Sequence, residues 1–248
     1  MIAMKKLIPL VFLSLILFSC IKDKPMAAVT VPVKFTSTSY VNLQPFDTTG
    51  KPLNMETPDV ISNGLMNFLH TTLPESVNLA TTHPELLAST AIGDVKITQT
   101  SSLDVTFVAE GTGFTNAIAF YTYPTNSPPA SAADIKTITY IFADAGFKTP
   151  LTVGDKVNIG TFSAGTSVGF VLMKNAWDLT KHILNNDAVH FCSNDVLNPE
   201  VDPKLKKHAV LLNYVPENKM LIGFEDIDRT DPKCDNDFND AVIYVTVK

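Results

Sequence analysis

The stretch Leu103-Asp104-Val105-Thr106-Phe107 decides the fold, because apolar side chains at 103, 105 and 107 alternate with polar ones at 104 and 106. That period of two belongs to a strand with one face buried. Similar runs rich in β-branched and aromatic residues return at 118–123, 137–142, 156–162, 167–173, 188–192, 209–214, 220–225 and 241–247. Turn-formers separate them at 124–129, 144–146, 153–155, 164–165 and 216–218. Short strands with few helices between them predict a mainly β fold, an antiparallel β-sandwich of jelly-roll-like type over residues 95–248. Residues 27–94 read as a small N-terminal α/β extension. It holds strand-like pieces at 31–36 and 40–43, a turn at 48–51 that would close a hairpin, and a helical turn near 82–87. Between them lies a helix signal, with Thr57 as N-cap, Pro58 at the first helical position, Ile61, Leu65, Phe68 and Leu69 on one face, and Pro74 as the stop.

The chain opens with Lys5-Lys6 and an apolar run over 7–18, too short to span a bilayer but right for a cleaved export signal. Leu17-Phe18-Ser19-Cys20 resembles a bacterial lipobox. The resemblance implies removal of residues 1–19, acylation of Cys20, and a lipid-anchored tether over 20–26. Ile21 stands where an Asp would retain such a protein at the inner membrane, so an outer-membrane, cell-envelope location is expected, with surface exposure in view. The 248 residues carry 19 basic and 25 acidic side chains, a net charge of −6. Loss of Lys5 and Lys6 takes the mature chain to about −8. That balance, without a basic cluster, argues against a nucleic-acid partner. Besides Cys20, only Cys192 and Cys234 are present, and outside the cytoplasm these two are free to pair as a disulfide.

Acidic residues crowd the segment between the last two predicted strands, which contains Glu225-Asp226-Ile227-Asp228 and Asp235-Asn236-Asp237-Phe238-Asn239-Asp240. Two negative charges about 5 Å apart repel by roughly 3 kcal/mol at an effective dielectric of 20, so several such pairs call for a counter-cation. Antiparallel pairing of 220–225 with 241–247 would gather six candidate ligands, Glu225, Asp226, Asp235, Asp237, Asn239 and Asp240, at one end of a sheet. An all-oxygen set favours Ca²⁺ over zinc or copper. The loop is not an EF-hand: its sixth position is Asp240 in place of Gly, and its twelfth is Thr246 in place of Glu. Asp228 and Asp231 read as solvated. The plainer alternative is a hydrated loop neutralised by its own Arg229 and Lys233.

The run Ile222-Gly223-Phe224-Glu225-Asp226-Ile227-Asp228-Arg229, followed by Cys234-Asp235-Asn236-Asp237-Phe238-Asn239-Asp240-Ala241-Val242, resembles the signature of the LruC-type domain, a module of bacterial surface lipoproteins and large adhesin-like proteins. Glu110-Gly111-Thr112-Gly113-Phe114, Gly165-Thr166-Ser167-Val168-Gly169-Phe170 and Leu197-Asn198-Pro199-Glu200 extend the likeness, which covers about 74–247. It implies an extracytoplasmic β-rich domain with a structural Ca²⁺ site and no established catalysis. The expected role is therefore surface binding, adhesion or architecture, with a surface protein or glycan as partner.

Two alternatives come from other residues. Trp177, Tyr121, Tyr123 and Tyr140 could offer platforms to a carbohydrate, although strand aromatics usually pack a core. Gly165-Thr166-Ser167-Val168-Gly169 matches the nucleophile pattern of serine hydrolases, with Asp187 and His190 or His208 downstream. Yet it continues into Phe170-Val171-Leu172-Met173, a strand run where an elbow requires a helix, so an enzyme is not expected. His70, His83, His182, His190 and His208 show no zinc-binding spacing.

Overall fold

The computed structural model describes residues 33–91 and 93–248. The export signal, Cys20, the tether and the start of the 31–36 segment lie outside the described residues. In chain order the elements are β1 (Ser39–Asn42), α1 (Asn63–Thr72), α2 (Leu79–Thr82), β2 (Val95–Lys96), β3 (Ser101–Glu110), β4 (Ala117–Pro124), β5 (Thr137–Phe142), β6 (Lys156–Phe162), β7 (Thr166–Lys174), β8 (Trp177–Asp178), β9 (Ile183–Leu184), β10 (Val189–Cys192), β11 (Ala209–Tyr214), β12 (Lys219–Phe224) and β13 (Ala241–Val247).

The long strands form two sheets. One runs β1-β5-β4-β7-β10, with β2 also on β7, and the other runs β11-β12-β13-β3-β6; β8 and β9 make a separate ribbon. β1 pairs parallel with β5, and the remaining ladders are antiparallel. The expected antiparallel sandwich is therefore present. Its central core is built from alternate residues of both sheets, among them Leu103, Val105 and Phe107 of β3 facing Ile118, Phe120, Phe170 and Leu172.

Both outer faces are covered as well, which explains why β7 reads as an unbroken apolar run. On the first sheet, Tyr121, Ile138, Tyr140, Val171 and Met173 lie under Phe35, Ile135 and Leu197. On the second, Val210, Leu221, Val242 and Tyr244 lie under Leu65, Leu69 and Leu73, joined by Leu79 and Phe238. Burying each leucine contributes about 1.5–3 kcal/mol, so α1 is held by tertiary packing more than by its own propensity.

Three N-terminal expectations need correction. The 33–36 segment is not a strand; Phe35 is instead buried and stacks on His190, with ring centroids 4.3 Å apart. The helix begins at Asn63 with Ser62 as its N-cap, whose Oγ accepts from Leu65 N at 3.0 Å. Thr57 and Pro58 stay outside the helix because long-range bonds hold their surroundings: Glu56 N donates to Lys156 O at 2.8 Å and Asp59 N to Gly154 O at 2.9 Å. Asp59 also takes Lys156 Nζ at 2.6 Å and the hydroxyls of Thr106 and Tyr244. The 48–51 turn is present, but β1 pairs with β5; the 45–52 segment closes only through an isolated antiparallel bridge between Phe46 and Pro52.

Candidate metal centre

β12 and β13 are in register from Met220 opposite Val245 to Phe224 opposite Ala241, so the residues after Phe224 and before Ala241 leave the same end of the sheet. Glu225 N donates to His208 O at 3.0 Å, and Asp240 N to Phe224 O at 3.1 Å, pinning both ends of the acidic loop. Phe238 plugs the loop into the cluster beneath α1 and is fully buried. Its carbonyl lies only 2.3 Å from where a side chain on Gly223 would begin, so this approach requires glycine in β12.

Asp226 is buried. Its Oδ2 accepts from Asn116 Nδ2 at 2.5 Å and from the Thr112 hydroxyl, while its backbone N donates to Asp240 Oδ2 at 2.8 Å. Asp237, also buried, accepts from Ser76 N at 2.7 Å and Asn239 N at 3.2 Å. The Ser76 bond brings in the segment after α1, and with it Glu75. One oxygen each from Glu75, Asp235 and Asp237 lies within 4.8 Å of the others. Oxygens on opposite sides of a calcium ion, each about 2.4 Å from it, would stand about 4.8 Å apart. This acidic cluster could hold a metal ion.

Electrostatics point the same way. Burial raises the Glu225 carboxyl above its ordinary range, and Asp235 and Asp237 add to the effect. Burial likewise raises Asp226. Asp240 is raised by burial, then by Asp226 and Glu225. Asp237 is pushed up to about 6 by burial, with Asp235 and Glu75 adding to it against the two backbone bonds. Among the described residues, no lysine or arginine forms an ion pair with Glu75, Glu225, Asp226, Asp235, Asp237 or Asp240. Glu225 Oε2 and Asp226 Oδ1 are buried without a hydrogen-bond partner. Such atoms are rare in folded proteins and call for a water or an ion.

The structure thus unites Asp235 with Asp237 and sets buried Glu225 and Asp226 and half-buried Asp240 beside them. Asn239 donates its amide to Leu73 O at 3.3 Å, with its Oδ1 against Gly111. The sequence reading missed Glu75. Only its position directly after the predicted helix stop could have signalled it, because nothing local ties Pro74-Glu75-Ser76 to a loop far downstream. Arg229, a counter-charge in the plainer alternative, forms no ion pair with the described acidic residues, although the Glu225 charge acts on it. Its Nε donates to Asn236 Oδ1 at 2.6 Å and its Nη1 to the carbonyls of Lys207 and Lys204, so the guanidinium acts as a loop staple. Asp228 caps its own turn by accepting from Thr230 N at 2.8 Å.

Cys192 and Cys234 are free thiols here. Cys192 is buried in the cluster on the outer face of the first sheet, whereas Cys234 lies in the acidic loop beside Glu225. Ser167 sits within β7, its hydroxyl 2.9 Å from that of Thr125. His190 pairs with Tyr40 at 2.8 Å, and His208 is clasped between Glu200 at 2.6 Å and the Glu225 carbonyl at 2.9 Å. No serine–histidine pair joins these groups.

Residues 162–248 match the family described as Domain of unknown function (DUF4114). The match runs from the end of β6 through β13 and takes in the acidic loop, but not Glu75. No curated protein and no solved structure matches the chain.

Proposed function

We propose that the acidic loop and Glu75 bind a Ca²⁺ ion, and that this ion orders the surface of a lipid-anchored cell-envelope module of LruC type serving binding, adhesion or architecture. The observation that carries the reading is the convergence of Glu75, Asp235 and Asp237 oxygens beside the unpartnered, buried Glu225 Oε2. The converging ligands are three carboxylates with no histidine or cysteine among them, a hard oxygen set that suits Ca²⁺, and two of the three side chains are exposed, so water can complete the shell. In this role the ion performs no chemistry. It neutralises the loop and ties the end of α1 to the β12–β13 end of the sandwich.

Calorimetry on chelator-stripped protein tests the idea. Ca²⁺ should bind with measurable heat, and free Ca²⁺ at a hundred times its dissociation constant should add about 2.7 kcal/mol of stability. Replacing Asp235 and Asp237 together by asparagine should weaken binding at least tenfold. Neither heat nor a shift in melting temperature on adding Ca²⁺ to the unmodified chain would overturn the proposal.

A further inference from the structure

A second candidate site lies away from the acidic loop, against the outer face of the first sheet. There the β8–β9 ribbon, β1 and the turn after Phe46 enclose a cleft of about 350 Å³, lined by Tyr40, Phe46, Asp47, Tyr140, Trp177 and Asn186 among others. That volume falls in the range of small-molecule pockets. An adjoining cavity of about 400 Å³ shares Tyr40 and Asn186, so Tyr40 stands as a ridge between two subsites.

Three features indicate what would fit. The walls are aromatic, with Tyr40 and Tyr140 stacked at 6.1 Å between centroids and His182 lying 6.4 Å from Trp177. The phenol groups are held in place by the protein: Tyr40 OH pairs with His190 Nε2 at 2.8 Å and Tyr140 OH donates to Asn186 Oδ1 at 2.9 Å. This leaves the exposed Asn186 amide N–H groups free to donate outward. Among the described residues, Asp47 is the only lysine, arginine or carboxylate side chain lining the first cleft, which disfavours phosphates, sulfates and carboxylates there, while Lys34 and Asp187 line the adjoining cavity.

We infer that this cleft binds a neutral sugar ring, stacked on Tyr40 and hydrogen-bonded by Asn186 and Asp47. Flat aromatic faces receive the C–H face of a pyranose, and fixed amide and carboxylate groups read its hydroxyls. Of the four aromatics singled out in the sequence, Trp177 and Tyr140 line the cleft. Tyr121 is instead buried in the sheet's outer cluster, and Tyr123 donates to Asp94 at 2.6 Å. Tyr40 was not foreseen.

Trp177 is the single tryptophan of the chain and lines the cleft, so tryptophan emission reports from its wall. The full-length chain should be titrated with neutral oligosaccharides of glucose, galactose, mannose and N-acetylglucosamine, with oligogalacturonate as the charged contrast, each in calcium and in chelator, with calorimetry in parallel. At least one neutral sugar should shift the emission saturably, with similar affinity in calcium and in chelator. Tyr40→Ala and Asn186→Ala should each weaken binding at least tenfold while keeping the wild-type circular dichroism spectrum. The inference is overturned if no neutral sugar gives heat or an emission change at millimolar concentration, if only the charged oligosaccharide binds, or if both variants bind as tightly as wild type. Binding abolished by chelator would place the contact at the ion and would also count against the cleft. A failed calcium titration leaves this result intact, and the reverse holds too.

Discussion

Glu225 is where the fold and its charge conflict most sharply. The side chain is 1 % exposed, its Oε2 has no partner, and two further carboxylates act on it. Glutamine at this position keeps the shape and removes the charge. In chelator at pH 8, Glu225→Gln should be more stable than wild type by on the order of 1–3 kcal/mol, since a buried ionised group without a counter-ion is replaced by a neutral one. In saturating Ca²⁺ the order should invert, because the variant has less to gain from the ion. Scanning calorimetry with and without Ca²⁺ checks both halves. A variant that melts below wild type in chelator, with an undiminished calcium response, would show that Glu225 is structural only.

At the scale of elements, the cap of α1 offers a clean contrast between two candidate starts. Ser62→Ala removes the acceptor for Leu65 N and the hydroxyl that donates to Glu217, and should cost about 1 kcal/mol. Thr57→Ala should be near neutral, because Thr57 lies outside the helix. Urea unfolding of the two variants measures the difference; equal losses would restore the earlier start. The misreading has a physical cause. Thr-Pro followed by periodic leucines is a sound local signal, but Asp59 is claimed by Lys156, Thr106 and Tyr244, partners far along the chain. Strands fared better because alternation is local: 137–142, 156–162, 209–214 and 241–247 end where they were read. The two-residue β2, β8 and β9 carry too few side chains to show a period. The same division holds at the candidate centre. Asp235 and Asp237 could be read from their spacing, whereas Glu75 and the Ser76 bond depend on α1 packing against the second sheet, which no short window contains.

For the molecule as a whole, His190 ties the N-terminal segment to the sandwich. It is 4 % exposed, stacked on Phe35 and bonded to Tyr40, with Asp187 and the Ala188 carbonyl nearby. Burial lowers its pKa to about 4 from 6.5, against the opposing pull of Ala188 and Asp187. The unfolded chain therefore takes up this proton first. The associated stability is complete above pH 6.5 and is lost as pH falls through 4. Between pH 7 and pH 4 wild type should lose on the order of 3 kcal/mol from this group, and His190→Gln should lack that part of the slope. Denaturant unfolding at several pH values gives the comparison, and parallel slopes would exclude His190 as the source.

The placement of β13 between β12 and β3 has a kinetic consequence. Leu103 pairs with Val247, and β1 pairs with β5 across nearly a hundred residues. The second sheet cannot close until its C-terminal strand inserts into the middle, so β3 keeps an open hydrogen-bonding edge while the chain is being made. Contacts this distant in sequence slow folding. A newly synthesised molecule should therefore pass through a long-lived, sticky stage in which chaperone protection matters more than the final stability does.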